Sequence, residues 1–285
     1  MNILITGSQG QLGSEFRELA SSYPNYDFFF TDSSSLNICN EEAVNEYMIA
    51  HCIDVVINCA AYTAVDAAEE NVVDCDKVNH AAVAHLAKSA EKHGARLIHF
   101  STDYVFDGSK SEPYTEEDPT SAKAIYGITK LASERVVLAK CSQAMVIRTS
   151  WVYSSYGQNF VKTVIKQIET RGAMGVVYDQ IGTPTYAQDL AEFVLSSLDS
   201  ALVPGIYHYS NEGVCSWYDF AKAVQRIARL EGEIYPILSA EYPTNAPRPS
   251  YSVLDKSKVK TTFNIKIPYW VDSLEKCVLK IINNK

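Results

Sequence analysis

The chain has no cysteine pair at C-x-x-C spacing, no surplus of basic residues and no compositionally biased tract. Its seven cysteines (Cys39, Cys52, Cys59, Cys75, Cys141, Cys215 and Cys277) are odd in number and scattered. That pattern suggests neither a zinc cluster nor a disulfide framework, and it fits a reducing compartment, the cytoplasm. No stretch approaches the roughly 18 uninterrupted apolar residues that a membrane span needs. The segment Met1–Gly7 has no basic region ahead of its apolar residues and soon reaches glycine, so it reads as a strand rather than a signal peptide. A formal net charge of −9 argues against a broad nucleic-acid-binding face, although a local cationic pocket for an anionic ligand remains compatible with it. Flexible linkers and internal repeats are absent as well.

What is present is an ordinary globular composition, 47% hydrophobic and 21% charged over 285 residues. That length suits one large domain or two intimately packed ones. Short apolar runs at Asn2–Thr6, Asp27–Thr31, Asp54–Asn58, Arg96–Ser101, Ala144–Thr149 and Gly175–Tyr178 read as strands. Between them lie helical stretches at Gln11–Ser22, Glu41–Cys52, Val72–His93, Ile125–Ala139 and Asn159–Arg171. The strands are apolar on both faces, as in a buried parallel sheet, and their alternation with helices predicts an α/β, doubly wound parallel sheet of Rossmann type. The pattern predicts a dinucleotide-binding domain over residues 1–150, with returns to the sheet around 174–200 that include a helix at Gln188–Ser197. Residues 151–173 and 201–285 are expected to form a smaller, less regular substrate lobe. In that lobe Gly205–Tyr209 reads as a short strand. Ser216, with Asp219 reaching back, caps a helix to about Glu231, and a last helix spans Val271–Ile282. The run Tyr242–Pro249 has too many prolines for helix or central strand.

The turn Gly7-Ser8-Gln9-Gly10-Gln11-Leu12-Gly13 follows the first strand and opens a helix. Its glycines permit a tight turn, close approach of a pyrophosphate and close helix packing. The N–H groups at the helix start, around Gln11 and Leu12, would face the phosphates. Asp32, at the end of the second strand, stands where a carboxylate hydrogen-bonds an adenosine ribose; the plainer reading is that it only begins the Asp-Ser-Ser-Ser turn. Tyr126 and Lys130 share a helix face one turn apart, so the ammonium is expected to lower the tyrosine pKa and suit it to protonate a carbonyl. Tyr218 and Lys222 fit the same spacing in a chain of 18 tyrosines. Only Tyr126 has an upstream partner, Thr102, at the carboxyl end of a strand, where ligands of open α/β sheets sit. Trp151, just past a strand, could be core or a ligand contact, and Arg248 between two prolines could be a solvated residue or an anion contact. Asp66, Glu69 and Glu70 read as acidic residues facing solvent at a helix start, and the six histidines show no ligand spacing.

These residues resemble a known family. Thr102, Tyr126 and Lys130, with the glycine turn, are similar to the extended short-chain dehydrogenase/reductases. More narrowly, Ser101-Thr102-Asp103-Tyr104-Val105-Phe106-Asp107-Gly108, Asn58–Asp66, Arg148–Tyr153, Gly182-Thr183-Pro184-Thr185 and Arg248-Pro249…Ser252-Val253-Leu254-Asp255 resemble segments of the dTDP-4-dehydrorhamnose reductases, in order over nearly the whole chain. The resemblance implies NADH- or NADPH-dependent reduction of the C4 ketone of dTDP-4-dehydro-L-rhamnose, with Tyr126 as proton donor, Lys130 on the nicotinamide ribose and Thr102 sharing the substrate oxygen. Thr102, Asp103 and Trp151, with Val65 and Asp66 nearby, would contact the sugar, and Arg248 would pair with the diphosphate. Ala60, Ala61 and Tyr62 would run past the cofactor, and Asn37 (where an aspartate is common) and Ile38 would flank the adenine. Some family members dimerise through a metal held by acidic residues. Here Glu15 is present but Gln188 replaces a glutamate, so no metal site is expected, Mg²⁺ at a dimer interface is doubtful, and a monomer or homodimer is expected. The competing readings are a related sugar-nucleotide epimerase or dehydratase and a non-catalytic, cofactor-binding regulatory subunit. Asp103 followed by Tyr104 lacks the paired acids of a dehydratase, and an intact Thr102, Tyr126 and Lys130 set speaks against a pure binding module. Between Phe28 and Asn45 no Lys or Arg offers charge to a 2′-phosphate, so NADH is expected to serve at least as well as NADPH.

Overall fold

The computed structural model describes residues 1–198 and 203–283; residues 199–202, where the expected lobe boundary at 200/201 falls, and 284–285 lie outside the described residues. Five strands, β1 (Asn2–Thr6), β2 (Asp27–Phe30), β3 (Val55–Asn58), β4 (Arg96–Thr102) and β5 (Ala144–Thr149), form an all-parallel sheet in the order β2-β1-β3-β4-β5. A sixth, Gly205–His208, completes it beside β5, pairing Gly205 with Met145. The sheet is doubly wound. Ile3, Ile5, Ile57, Ile98, Met145 and Ile147 point to one face, against Phe16, Leu190 and Val194. Leu4, Val56, Leu97 and Val146 point to the other, against Met48, Val83, Leu86 and Val137. Cover on both faces is why these strands carry no apolar–polar alternation.

The helices that matter for the site are α1 (Gln11–Leu19), α2 (Glu41–Ala50), α3 (Ala82–His93) and α4 (Ile125–Lys140). The stretch Val72–His93, expected as one helix, contains a π-helical turn at Lys77–Ala81 between Val72–Asp76 and α3. A second lobe packs α5 (Phe160–Arg171), α7 (Trp217–Ile227) and α8 (Trp270–Asn283) around Val161, Ile165, Phe220, Val224, Leu274 and Val278. Between α5 and α7 in the chain, α6 (Ala187–Ser197) covers the first face of the main sheet through Leu190 and Val194. Ser216 and Asp219 close a capping box on α7, which ends at Ile227, short of Glu231.

Two strand expectations need correction. The run expected at Gly175–Tyr178 is a strand at Ala173–Val177 (β6), but it stays out of the six-stranded sheet and pairs in parallel with Glu233–Ile237 (β8). Only Gly172 separates it from α5, whose Val161 and Ile165 share a core with Val176, so the strand stays with its helix in the second lobe. The edge of the main sheet is filled instead by Gly205–His208 (β7), a segment assigned from sequence to the substrate lobe. Pro236 is tolerated in β8 because that strand is an edge.

One buried ion pair ties α4 to the sheet. Arg148, at the end of β5, donates from Nε and Nη2 to both Glu134 oxygens at 2.9 and 2.8 Å. Ser101 of β4 donates to Glu134 at 2.5 Å. Removing one partner of such a pair leaves a buried charge uncompensated and costs about 3–5 kcal/mol. Arg148→Met should lower unfolding stability by that amount in urea titration; a loss below about 1 kcal/mol would contradict the fixed role assigned to this pair.

Candidate active site

In this strand order the connections of β1 and β3 leave to opposite sides, so their carboxyl ends border a crevice of the kind where ligands of open α/β sheets bind. The crevice opens into a cavity of about 840 Å³ that reaches the second lobe. Gly7 turns the chain at φ +63°, and a Cβ there would lie 2.6 Å from the Ala60 backbone nitrogen, so only glycine lets the two strand ends converge. No side chain caps α1 at Gly10, and Gly10, Gln11 and Leu12 line the cavity at that end.

The far end of the same cavity is lined by Thr102, Asp103, Tyr126, Lys130, Trp151 and Arg248, with Ala60, Ala61, Val65 and Asp66 on its side. Six residues proposed from sequence lie off the lining: Gly7 and Gly13 behind the turn, and Asp32, Asn37, Ile38 and Tyr62. Asp32 Oδ1 accepts from the backbone and hydroxyl of both Ser34 and Ser35, at 2.6–3.1 Å. Those bonds hold its carboxyl down at about 2. Asn37 accepts from the Cys39 amide at 3.0 Å. Tyr62 is bound at backbone N and O by Asn79, at 2.8 and 3.0 Å, and Asn79 sits in the π-helical turn. Tyr218 and Lys222, the competing spacing match, do not line the cavity; Lys222 donates to Gln225 at 2.8 Å.

Tyr126 packs edge-on against Tyr104, ring centroids 5.8 Å apart, and the neighbouring Thr102 hydroxyl favours its charged form. Burial, then the Asp103 carboxyl, pushes its pKa above the ordinary phenol range. The direction is opposite to the expectation that Lys130 lowers it, because burial outweighs any stabilisation of the phenolate. The Lys130 ammonium lies instead 3.2 Å from His99 Nε2, and burial pulls its pKa down to about 8 against the opposing pull of Glu134 and Cys75. Tyr126 is therefore held as a neutral phenol, the protonation state a proton donor requires.

Arg248 is not a solvated loop residue. It donates to the Tyr104 hydroxyl at 2.8 Å and to Asp66 at 2.5 Å. Asp66 also accepts from the Ala246 amide at 3.1 Å, and Glu70 from Asn245 at 3.2 Å. Glu69 accepts from the Ile125 amide at 2.9 Å, at the start of the helix that carries Tyr126. Asp66 and Glu69 are partly buried and tie the proline-rich loop and α4 to this segment, while Glu70 is exposed, as its solvent-facing reading expects. Trp151 adopts φ +48°, an uncommon conformation for a bulky residue. It is pinned by stacking on Trp217 at 3.8 Å and by Gly182, where a Cβ would come within 2.6 Å of its ring.

Sequence reasoning did not single out Tyr104, Trp217, Asn58, His99, Asn79, Ser133 or Ser252. Tyr104 and Asn58 stood inside recognised motifs without a role. Ser252 is buried near Asp103 and opposes the rise in its pKa, a proximity no local spacing could reveal. Glu15 is fully buried, accepting from Ser154 at 2.5 Å with Lys280 at 3.7 Å, and Gln188 bridges Tyr186 and Glu192. Among the described residues no cluster of three or more His, Cys, Asp or Glu could hold a metal, and no helix is long and apolar enough to cross a membrane.

The family profile described as RmlD substrate binding domain matches residues 1–282. The chain is 38% identical to the spore coat polysaccharide biosynthesis protein SpsK of Bacillus subtilis (strain 168), over 95% of each chain. Among solved structures it is similar to a dTDP-4-dehydrorhamnose reductase from Clostridium acetobutylicum ATCC 824, at 41% identity and TM-score 0.94 over 98% of each chain. It is also similar to the dTDP-4-dehydrorhamnose reductase of Bacillus anthracis str. Ames in complex with NADP, at 35% identity and TM-score 0.94, covering 98% of this chain and 99% of that one.

Asp103 gives a direct test of the site's electrostatics. It is buried, its Oδ2 has no partner, and burial raises its pKa from 3.8 to about 6. Between those values the folded protein keeps a proton that the unfolded chain releases, so stability falls as pH rises through that window. Asp103→Asn abolishes the titration. From about pH 4 to 7 the wild type should lose about 2–3 kcal/mol relative to the variant in urea titrations. Parallel stability–pH curves would contradict the buried-acid reading.

Proposed function

The chain belongs to the RmlD substrate binding domain family, and from that premise we propose that it reduces the C4 ketone of dTDP-4-dehydro-L-rhamnose to dTDP-L-rhamnose. NADH or NADPH, when bound, supplies the hydride. The observation that carries this reading is a single cavity joining the uncapped glycine turn at one end to Tyr126, Thr102 and Arg248 at the other. A dinucleotide fits the first end because Gly10 leaves the α1 amides without a side-chain cap and its backbone open to an anion. Ala60 and Ala61 offer small side chains along the way, and Lys130 stands at the inner end.

In this reading the sugar lies between the Trp151–Trp217 stack and Val65. Its C4 oxygen faces Tyr126 and Thr102, and Tyr126 Oη gives its proton to that oxygen as charge develops there. Thr102 orients the phenol and shares the oxygen, while Asp103 contacts a sugar hydroxyl. The Arg248 guanidinium, prepositioned by Asp66 and Tyr104, meets the diphosphate with a fixed, always-charged fork. Asp32 remains anionic and hydrogen-bonds the adenosine ribose with its second oxygen, with Asn37 and Ile38 near the adenine. That charge disfavours a 2′-phosphate, so NADH serves at least as well as NADPH, although the Bacillus anthracis relative was solved with NADP. Seven free cysteines favour a cytoplasmic setting. The partner is a small-molecule sugar nucleotide, and the working unit is a monomer or homodimer without a metal bridge.

Tyr126→Phe removes only the transferable proton. With dTDP-4-dehydro-L-rhamnose as substrate it should lower kcat by about 10²–10⁴-fold and leave the Kd for the reduced cofactor unchanged, by stopped-flow turnover and fluorescence titration. Tyr218→Phe should match the wild type in both measurements. Wild-type kcat in the Tyr126 variant would remove Tyr126 from the role of acid.

A further inference from the structure

Behind Lys130 runs a chain of buried polar side chains that the proposed reaction leaves without a role. Thr6, Asn58, His99, Lys130 and Ser133 are each no more than 2% exposed. Their hydrogen-bond directions can be deduced from one fixed donor. The Ala60 backbone N–H can only donate, and it donates to Asn58 Oδ1 at 3.2 Å; the Thr6 hydroxyl donates to the same oxygen at 2.6 Å. The Asn58 amide nitrogen therefore faces His99 Nδ1, at 3.1 Å. A nitrogen that receives an N–H must offer a lone pair, so Nδ1 is unprotonated.

Neutral His99 then carries its proton on Nε2. The Ser133 hydroxyl, 2.9 Å from Nε2, spends its own proton on the Lys130 carbonyl at 2.6 Å, leaving a lone pair to accept from Nε2–H. The chain is thereby polarised from β1 and β3 through β4 to α4. Lys130 Nζ lies 3.2 Å from the same Nε2. An ammonium there finds no lone pair on Nε2 to donate to, a conflict that an uncharged amine relieves.

We propose that His99 is a positioning residue of this enzyme: locked as the Nε2–H tautomer by Asn58 and Ser133, it denies Lys130 an acceptor and favours the uncharged amine in the unliganded protein. The other titratable groups acting on Lys130 are Glu134 on its own helix and Cys75 from the segment Val72–Asp76. Glu134 is committed to Arg148 and Ser101. Burial and the neighbouring Lys130 hold His99 well below the usual imidazole range, consistent with a ring that stays neutral. Lys130 loses its charge as pH rises through about 8, so its pull on ribose oxygens fades above that pH. This last consequence rests on the reductase reading; the network does not.

The test uses the full chain without cofactor or substrate, so its outcome is separable from the reductase reading. In ¹⁵N NMR, His99 should show a protonated Nε2 and a lone-pair Nδ1, unchanged from about pH 5 to 9. The Lys130 Cε resonance should titrate near pH 8. His99→Gln can turn a carbonyl oxygen toward Nζ, so Lys130 should then titrate about one pH unit higher or more. An Nδ1–H tautomer, or a His99 that titrates, would overturn the proposal. So would a wild-type Lys130 in the ordinary lysine range, or a Lys130 titration unmoved in His99→Gln. The wild-type arms stand even where the variant fails to fold.

Discussion

The geometry of the site depends on where one carboxylate is held. Glu134 sits on the same helix as Tyr126 and Lys130, and it is gripped by Ser101 at the end of β4 and Arg148 at the end of β5. The residues that follow those two, Thr102 and the Thr149–Trp151 turn, line the same cavity as Tyr126. A buried ion pair adds little net stability against an apolar replacement. Its directional bonds instead fix the register of a helix against two strand ends, and a proton-transfer geometry needs that register. The clamp by Glu69 on the start of the same helix adds a second fixed point.

Around that frame the site keeps its protons by burial. Tyr126 is held neutral and Asp103 is drawn upward, while Lys130 is drawn downward. All three shifts have the same leading cause, loss of water, which disfavours the charged form of acid and base alike. Arg248 is the half-buried counterpart. Its charge is permanent, and Asp66 and Tyr104 hold it in place. A neutral phenol and a fixed cation lining the same cavity suit a polar ketone carried on a diphosphate.

The sheet was legible because five of its six strands are short, doubly apolar runs between amphipathic helices, a pattern with few other solutions. The partner of Ala173–Val177 was not legible, since a short apolar strand looks the same in the main sheet as in a side pair; only its one-residue link to α5 decides the matter. The residues lining the cavity were legible where a motif placed them at strand ends, as with Thr102, Tyr126 and Lys130. The contacts of Asp66 and Glu69 were not legible because their partners, Arg248 and Ile125, lie far away in the chain. His99 left one signal, a polar residue within an otherwise apolar buried strand. That signal says a partner exists but does not name it. The direction of the Tyr126 shift was misjudged because spacing along a helix places Lys130 on the right face without saying where its ammonium points.

The central claim is net reduction of a 4-keto sugar nucleotide, and product stoichiometry tests it most directly. NADH or NADPH oxidation would be followed in the presence of limiting dTDP-4-dehydro-L-rhamnose, with the sugar product identified by NMR. The account predicts one equivalent of oxidised cofactor released into solution per ketone consumed, and a hydroxyl at C4 of the product. A sugar rearranged with no net cofactor oxidation, or cofactor bound without turnover, would contradict it.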